Sequence, residues 1–273
     1  MDFQGRRVWI TGASSGIGEA LAYAFHNTGA KLILSARRSG ELKRVQAQCG
    51  DETATRILPM DVSRGEDLSS KPREALAMFG GIDILVLNAG ISQRSLTRDT
   101  EDSVYRRLMD VNFFGPEGLT RAVLPSMLKQ KRGHFVVISS VAGRFGVPLR
   151  SGYSATKFAL HGFYEALRAE EARNGIHVTI VCPGFIRTEI SLSALKGDGS
   201  MHAKMDPELA RGMPAEECAR QILNAVARKK EDVTIAAPRE KMLVYMKRFA
   251  PGLLARMVAS RVPARSGSQP SHL

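Results

Sequence analysis

The glycine-rich segment TGASSGIG, residues 11–18, constrains the fold more than any other feature of this 273-residue chain. It follows a short β-branched and aromatic run and precedes GIGEALAYAFHNTG, whose apolar residues have helical spacing. The pattern predicts a strand, a tight turn and a helix. The backbone N–H groups of such a turn and of a helix N-terminus can bind a pyrophosphate. The order of Gly12, Gly16 and Gly18 differs from the G-x-G-x-x-G spacing of the commonest dinucleotide motif.

The same alternation of strand and helix continues along the chain. Six further strands are predicted, in the segments KLILSA, TRILPMDV, DILVLNAG, HFVVISS, HVTIVCPG and VTIAAP. Helical patterns separate the first six strands, so the fold class is α/β, with a parallel sheet covered on both faces. No linker divides the chain, and we expect one domain over residues 1–238 with a basic extension over 239–273.

The polar, glycine-broken segment 187–217 follows the strand HVTIVCPG. Ligands of open α/β sheets bind outside the carboxyl ends of the strands. We therefore expect segment 187–217 to form a mobile loop over a ligand site.

The distribution of charge argues against nucleic acid as a partner, although the formal net charge is +12. Seven basic residues and one acid lie in the extension 239–273, which therefore holds half of the excess, and no aromatic–basic recognition pattern accompanies them. The three separated cysteines exclude a disulfide framework, and the histidines show no ligand spacing, so we expect a reducing compartment and no metal. No apolar run is long enough to span a membrane or to act as a signal peptide, which predicts a cytoplasmic protein.

The end of the second strand predicts which dinucleotide binds. An acid there would accept the ribose hydroxyl, whereas a base would pair with a 2′-phosphate. The sequence is SARR, in which Arg37 and Arg38 offer guanidinium groups and no carboxylate competes. The pair favours NADP(H) over NAD(H); the alternative is that both are solvated arginines at a helix start.

Tyr153 and Lys157, in SGYSATK, lie four residues apart on one face of a predicted helix. A tyrosine with a pKa near ~10 is a poor acid–base catalyst at neutral pH until a nearby cation favours its phenolate. Lys157 is positioned to be that cation. Ser139 and Ser140 end the preceding strand and offer a hydroxyl for the substrate oxygen.

Together these motifs resemble the short-chain dehydrogenase/reductase family. The resemblance rests on TGASSGIG, NAG at 88–90, Asn112, Ser140, the Tyr153 and Lys157 pair and PGFIRT at 183–188, in the family's order and spacing over about residues 5–190. It implies a Rossmann-like, doubly wound sheet of seven parallel strands, and hydride exchange between nicotinamide C4 and a substrate carbon.

The resemblance also implies roles for individual residues. Tyr153 would be the acid or base, Lys157 would lower the tyrosine pKa and bind the nicotinamide ribose, Ser140 would hold the substrate oxygen, and Asn112 would support a water relay behind Lys157. The remaining cofactor-binding positions would be Gly12, Ser14, Ser15, Gly16, Ile17, Gly18, Arg37, Arg38, Asp61, Val62, Asn88, Ala89, Gly90, Pro183, Gly184, Ile186 and Thr188. Asn88 and Asp61 have an alternative reading as scaffold, in which they hold the sheet and cap a turn.

Two further segments, NFFGPEGLTRAVLPSMLKQKRGHFVVISS and SLSALKGDGS, resemble the branch of the family that acts on lipophilic ketones and alcohols such as lipids and steroids. We therefore expect an NADP(H)-dependent carbonyl reductase, or the reverse dehydrogenase. A 3-oxoacyl-thioester reductase and a catalytically silent NADP-binding sensor or scaffold are the alternatives. The family usually forms homodimers or homotetramers.

The extension carries two short amphipathic patterns, broken at Pro251 and Gly252, with basic residues among the apolar ones. Three functions fit this pattern: contact with an anionic membrane, a cover over the substrate cleft, or a subunit interface. The last residues, SHL, resemble the peroxisomal S-K-L signal, which has meaning only in a eukaryotic source.

Overall fold

A computed structural model describes residues 3–260 and contains one seven-stranded parallel sheet. The strands are β1 (Arg7–Thr11), β2 (Lys31–Ser35), β3 (Thr55–Ile57), β4 (Ile84–Leu87), β5 (Gly133–Ile138), β6 (Ile176–Pro183) and β7 (Asp232–Ile235). Their order is β3-β2-β1-β4-β5-β6-β7, and every neighbouring pair is parallel. The order reverses between β1 and β4, which is where ligands bind in such sheets.

Helices cover both faces of the sheet. They are α1 (Gly16–His26), α2 (Ser39–Cys49), α3 (Gly65–Met78), α4 (Asp102–Met109), α5 (Gly115–Lys129), α6 (Ser151–Glu170), α7 (Pro207–Ala210), α8 (Ala215–Ala227), α9 (Pro238–Phe249) and α10 (Pro251–Ala259). A π-helical turn, Asp110–Phe114, joins α4 to α5, so the long helix expected after β4 is nearly continuous but locally widened.

Alternate residues of each strand feed two separate cores. In β1, Val8 and Ile10 pack with residues of α1, α2 and α8, whereas Trp9 packs with residues of α3, α5 and α6 on the other face. Both cores consist of buried apolar side chains, most of them aliphatic. This two-sided burial is why the strands read as continuous apolar runs.

The structure differs from the sequence-based expectation at the ends of strands and in the chain that follows β6. β3 ends at Ile57 and β4 at Leu87, so the polar residues beyond them lie on loops at the carboxyl edge. Segment 187–217, expected to be a loop, contains α7 and the first turn of α8. Helix α8 was not identified from the sequence, although its buried residues recur at helical spacing through Cys218, Ile222 and Val226.

The extension forms the two predicted helices, and these pack on the body of the domain. Leu243 of α9 and Leu254 of α10 are buried against Phe145, in the loop after β5. Glu240 is also buried and accepts hydrogen bonds from the backbone N–H groups of Phe185 and Ala237. Between residues 3 and 260, no helix has the length and apolar content needed to cross a membrane.

Candidate active site

The turn between β1 and α1 has the conformation that a phosphate-binding turn requires. Gly12 and Gly16 have positive φ angles of 66° and 57°. A Cβ added at Gly12 would lie 2.8 Å from the side-chain nitrogen of Asn88, and one at Gly16 would lie 2.9 Å from Thr188. Ser15 makes no side-chain capping bond, so the N–H groups in the first turn of α1 face a ligand site. The turn therefore fits a dinucleotide pyrophosphate.

A cleft of about 630 Å³ opens at this turn and runs along the carboxyl edge of the sheet. Thirteen of the predicted cofactor-binding residues line it: Gly12, Ser14, Ser15, Gly16, Ile17, Arg37, Arg38, Asp61, Val62, Asn88, Ala89, Gly90 and Thr188. The cleft therefore joins the phosphate turn, the end of β2 and the NAG segment into one elongated site, as a dinucleotide requires.

Six predicted cofactor residues are absent from the lining of this cleft: Tyr153 and Lys157, which lie on α6, and Gly18, Pro183, Gly184 and Ile186. A Cβ at Gly18 would overlap the Gly12 carbonyl oxygen, and one at Gly184 would overlap the Glu240 carboxylate, so both glycines permit close packing behind the wall. Pro183 is the last residue of β6, and Ile186 is buried in the core on the α1 face. Gly18 and Gly184 thus permit close packing, whereas Pro183 and Ile186 belong to β6 and to the core.

Other residues that line the cleft were not predicted. They are Ser35, Ala36, Met60, Ile91, Val111, Glu189, Ile190, Leu192, Ser193, Met201 and Ala203. The first five are neighbours in sequence of predicted site residues or lie at the ends of strands. The last six lie in segment 187–217, which the sequence already placed after β6, where a ligand site was expected.

Asn88 and Asp61 have the scaffold role considered for them and also lie at the cleft. The Asn88 side chain donates hydrogen bonds to the carbonyl groups of Thr11 and Gly12, at 3.1 Å each. One Asp61 oxygen accepts from the N–H and hydroxyl groups of Ser63, which closes a turn. Both residues also line the cleft. Scaffold work and access to a cofactor are therefore compatible.

Arg37 and Arg38 are exposed at the end of the cleft nearest β2. A guanidinium nitrogen of Arg38 lies 3.4 Å from the Ser14 hydroxyl, on the phosphate turn. Neither arginine forms an ion pair with a carboxylate in residues 3–260. Both are thus placed to meet an anion at this end of the cleft.

Helix α6 begins at Ser151 and carries Tyr153 and Lys157 on its buried face. The Gln93 carboxamide oxygen accepts hydrogen bonds from the N–H groups of Gly152 and Tyr153, which fixes the start of the helix. The Lys157 ammonium nitrogen donates to the Ile138 carbonyl at 2.8 Å and lies 5.6 Å from the centre of the Tyr153 ring. The helix thus brings the pair to the carboxyl end of β5.

Burial dominates the titration of both residues. It raises the pKa of the Tyr153 phenol, while hydrogen bonding with Ser140 and the positive charges of Arg150 and Arg94 act in the opposite direction. The sequence assigned this lowering of the tyrosine pKa to Lys157. In the structure burial also lowers the pKa of Lys157 itself to about 8. The charges of Arg150 and Arg94, which were not predicted from the sequence, act on the phenol as well.

The two serines after β5 have different partners. Ser140 is half-buried, accepts from the Ala142 N–H at 3.1 Å and lies close enough to the Tyr153 phenol to act on its pKa. Ser139 is buried, and its hydroxyl hydrogen-bonds with the His161 ring at 3.1 Å. Ser140 is therefore the serine that can reach a substrate oxygen beside Tyr153.

Asn112 lies in the π-helical turn and is completely buried. Its oxygen accepts from the Ile91 N–H at 2.8 Å, and its nitrogen donates to the Ile91 carbonyl and to Thr156. A Cβ at Gly90 would come 3.2 Å from the Asn112 oxygen and 3.8 Å from the Lys157 nitrogen. The glycine therefore keeps open the space between Asn112 and Lys157.

One cluster near α6 has potential metal ligands. Ligand atoms of His161, Glu165 and Asp232 lie within 4.8 Å of one another. Asp232 also pairs with Arg144, whose positive charge competes with a cation. The histidine spacing gave no sign of this cluster because its members come from α6 and β7.

Comparison with known proteins gives one consistent family. The model described as short chain dehydrogenase matches residues 6–198. Dehydrogenase/reductase SDR family member 7B of Danio rerio is 39% identical over 275 residues, covering 98% of this chain and 89% of that protein. Dehydrogenase/reductase SDR family protein 7-like of Anopheles gambiae is 44% identical over 255 residues, covering 91% and 80%.

Solved structures share the architecture. A short-chain dehydrogenase from Streptomyces avermitilis is 30% identical, has a TM-score of 0.80 and covers 94% of this chain and 99% of its own. A short chain dehydrogenase/reductase from Burkholderia phymatum, solved in complex with NAD, has a TM-score of 0.82 over 98% of this chain and 100% of its own. That second protein is 24% identical, so its likeness shows the fold.

Proposed function

Because this chain belongs to the short-chain dehydrogenase/reductase family, we propose that it is an NADP(H)-dependent oxidoreductase that acts on a carbonyl or secondary alcohol of a lipophilic substrate. The observation that carries the proposal is the meeting of Tyr153, Ser140 and Lys157 at the carboxyl end of β5, beside a cleft that fits a dinucleotide.

The residues of the site suit carbonyl reduction. When bound, NADPH supplies a hydride to the carbonyl carbon. The carbonyl oxygen gains the electron pair of the C=O bond and takes the phenolic proton of Tyr153, while the Ser140 hydroxyl holds that oxygen by a hydrogen bond. Burial raises the Tyr153 pKa and keeps the phenol protonated at neutral pH, which suits a proton donor. The alcohol-oxidising direction reverses each transfer.

Lys157 and Asn112 would return a proton to Tyr153. The Lys157 ammonium is buried and held by the Ile138 carbonyl, and Asn112 lies across the space that Gly90 leaves open. We expect Lys157 to bind the nicotinamide ribose and Asn112 to order a water in this space. The fixed hydrogen bonds of Asn112 to Ile91 favour such a positioning role.

Specificity for NADP(H) is supported by Arg37 and Arg38, which line the cleft without a carboxylate partner in the described residues. A charge-assisted hydrogen bond contributes about 1.5–3 kcal/mol, so Arg37→Asp should lower kcat/KM for NADPH by about 10- to 100-fold. Arg73→Asp, an exposed change on α3, is the matched control. An unchanged ratio of NADPH to NADH efficiency in Arg37→Asp would remove Arg37 from the phosphate site.

A lipophilic substrate is supported by the apolar lining that segment 187–217 adds to the cleft. Ile190, Leu192, Met201 and Ala203 all face it, and Met201 is 65% exposed. An exposed methionine at the edge of a cleft gains free energy when an apolar ligand covers it.

The experiment that tests the function is an NADPH-oxidation screen against aromatic, steroid and long-chain ketones and 3-oxoacyl thioesters. Tyr153→Phe should abolish turnover and leave NADPH binding nearly intact, whereas the exposed Tyr245→Phe should behave like the wild type. Turnover by Tyr153→Phe would refute its role as the acid. Thioesters as the best substrates would favour the thioester reductase, and NADPH binding without any turnover would favour the silent sensor.

Contact with an anionic membrane is the function we propose for the outer face of α9 and α10. Met242, Tyr245, Phe249 and Leu253 are exposed there, with Phe249 79% accessible, and lysines and arginines accompany them. The inner face of both helices packs on the loop after β5. The same two helices can therefore cover this part of the domain and contact a membrane with their outer face. Wild type should sediment with anionic vesicles more than Phe249→Ser does; equal sedimentation would refute the contact.

We also propose a homodimer through α5 and α6, because Phe114 and Phe158 expose large apolar surfaces at that side. Light scattering should give twice the chain mass for wild type and a lower mass for Phe158→Arg; a monomeric wild type would refute this. A cytoplasmic location stays a prediction, and the SHL ending lies outside the described residues.

A further inference from the structure

Three charged residues from separate loops meet at the carboxyl edge of the sheet. Arg94 lies on the loop after β4, Arg150 directly precedes α6, and Asp206 is the N-cap of α7 in segment 187–217. Asp206 accepts from both guanidinium groups, at 3.0 Å from Arg150 and at a shorter distance from Arg94. Their positions in the sequence gave no reason to group them.

The triad is largely removed from solvent. The side chains of Arg94, Arg150 and Asp206 are only 10%, 16% and 16% exposed. Removing a guanidinium from water is unfavourable unless opposite charge and hydrogen bonds compensate it. Two partly buried cations that share one carboxylate are therefore an unusual arrangement for purely structural purposes.

The balance of charge around the triad is positive. The exposed Glu208 is the second acid that acts on Arg150, while Lys196 and Lys204 act, with Arg94, on the neighbouring His202. Burial, followed by repulsion from Arg94, lowers the pKa of Arg150, so the attraction of the acids does not compensate its charge. An added anion would supply the missing compensation.

Arg150 also has donors to spare. Its guanidinium carries five N–H groups, and within residues 3–260 its side-chain hydrogen bonds end at Asp206. Arg94 donates to Asp206 and to the Gln93 carbonyl. Free, directional donors beside excess positive charge are the usual means of binding a carboxylate or phosphate.

The triad adjoins the proton donor. Arg150 is one helical turn before Tyr153, and Arg94 follows Gln93, whose side chain holds the Tyr153 N–H. The charges of both arginines act on the phenol. A group bound here would therefore belong to the molecule whose carbonyl meets Tyr153.

We propose that Arg94 and Arg150, positioned by Asp206, bind an anionic group of the substrate, a carboxylate or a phosphate monoester, while its apolar part lies along segment 187–217. This inference rests on the proposed function, because it adds an anionic group to the lipophilic carbonyl compound. The competing interpretation is that the triad only clamps segment 187–217 to the body of the domain.

Matched pairs of ketones separate the two interpretations. The first pair is a long-chain 4-oxo carboxylate and its methyl ester; the second is an oxoalkyl phosphate and the corresponding alcohol. Wild type should prefer the charged member of at least one pair by about 10-fold or more in kcat/KM, the effect of one or two charge-assisted hydrogen bonds. The pair with the larger preference identifies the anion.

Arg94→Gln and Arg150→Gln should bring the ratio of charged to neutral kcat/KM towards one. The matched control is Arg106→Gln, which removes an exposed arginine paired with Asp102 on α4 and should keep the wild-type ratio. The proposal would be overturned if wild type had equal kcat/KM for the charged and neutral ketones, or if the variants lowered both values equally. The triad would then only clamp segment 187–217 to the body of the domain.

A binding measurement keeps the test independent of turnover. Decanoate should raise the melting temperature of the NADPH-loaded wild type more than decanol does, and Arg150→Gln should remove that difference. If no ketone is reduced, the proposed function fails, and this comparison still decides the anion site. If the neutral ketones are reduced and no anionic preference appears in either measurement, only the anion site fails.

Discussion

Lys157→Met should stabilise the protein at neutral pH while it abolishes turnover. Methionine has a similar length and no charge, so it fills the same buried space without the cost of desolvating an ammonium group. Lys157 is 4% exposed, and the carbonyl group of Ile138 is its hydrogen-bond partner in the described structure. The lysine is thus retained at a cost to stability, as is common for catalytic groups.

The magnitude follows from the pKa. A fall of the Lys157 pKa from 10.5 to about 8 corresponds to about 3 kcal/mol by which the folded state disfavours the ammonium form. Loss of the charged hydrogen bond to Ile138 offsets about 1.5–2 kcal/mol of this gain. The net stabilisation should be about 1–2 kcal/mol, or about 2–6 °C in melting temperature for a domain of this size.

The pH dependence gives the sharper test. Because the folded pKa lies below the unfolded value, the destabilisation by Lys157 is fully present below about pH 8 and disappears as the pH rises to about 10.5. The advantage of Lys157→Met should therefore be largest at pH 6.5 and about 2 kcal/mol smaller at pH 9.5.

Urea unfolding of nucleotide-free protein at both pH values measures this difference. The exposed Lys43→Met on α2 is the matched control and should leave the wild-type stability at each pH. If Lys157→Met is less stable than wild type at pH 6.5, or if its advantage does not shrink at pH 9.5, the inferred cost of burying the ammonium is wrong.

Three other substitutions test the scaffold of the site. Burial opposes ionisation of Asp83, but its hydrogen bonds and ion pair with Arg7 outweigh this and lower the Asp83 pKa to about 2. Asp83→Asn should therefore cost about 2 kcal/mol in urea unfolding at pH 7, a difference that shrinks as the pH falls through about 4 towards 2; a loss independent of pH would contradict this. Gly18→Ala should cost about 1–3 kcal/mol in thermal unfolding and weaken NADPH binding in a fluorescence titration, because its Cβ would overlap the Gly12 carbonyl. Unchanged stability and NADPH affinity would show that the backbone around Gly12 can shift to accommodate the methyl group. Glu240→Gln should cost about 1–2 kcal/mol in the same unfolding assay, since an amide replaces only one of the two acceptors; full stability would show that the carboxylate is dispensable.

Local patterns were sufficient for the fold and for most of the cleft. The alternation of apolar strands and helical segments predicted all seven strands because periodicity and turn residues are properties of neighbouring residues. The glycine turn could be predicted because a tight turn requires glycine at particular positions, and Gly12 and Gly16 do have positive φ angles. Helix α8 was not predicted, because its first turn is polar and resembles the preceding loop in composition.

Distances between segments that are far apart in the sequence could not be predicted. Gly18 and Gly184 were predicted as cofactor-binding positions, and the structure adds that they permit close packing against Gly12 and Glu240. A sequence shows that a glycine is required but not which atom approaches it. The burial that changes the pKa of Lys157 likewise depends on residues from other elements.

The sequence by itself therefore determined the order of elements, the family and the residues that can transfer a proton, because each follows from local pattern and spacing. Only the tertiary structure decided the electrostatic environment of those residues. Arg94, Arg150 and Asp206 are separated by 56 residues at each step, and the sheet topology brings their loops together beside Tyr153. Charge acts through space, so its effect on the phenol depended on the folded arrangement of the loops.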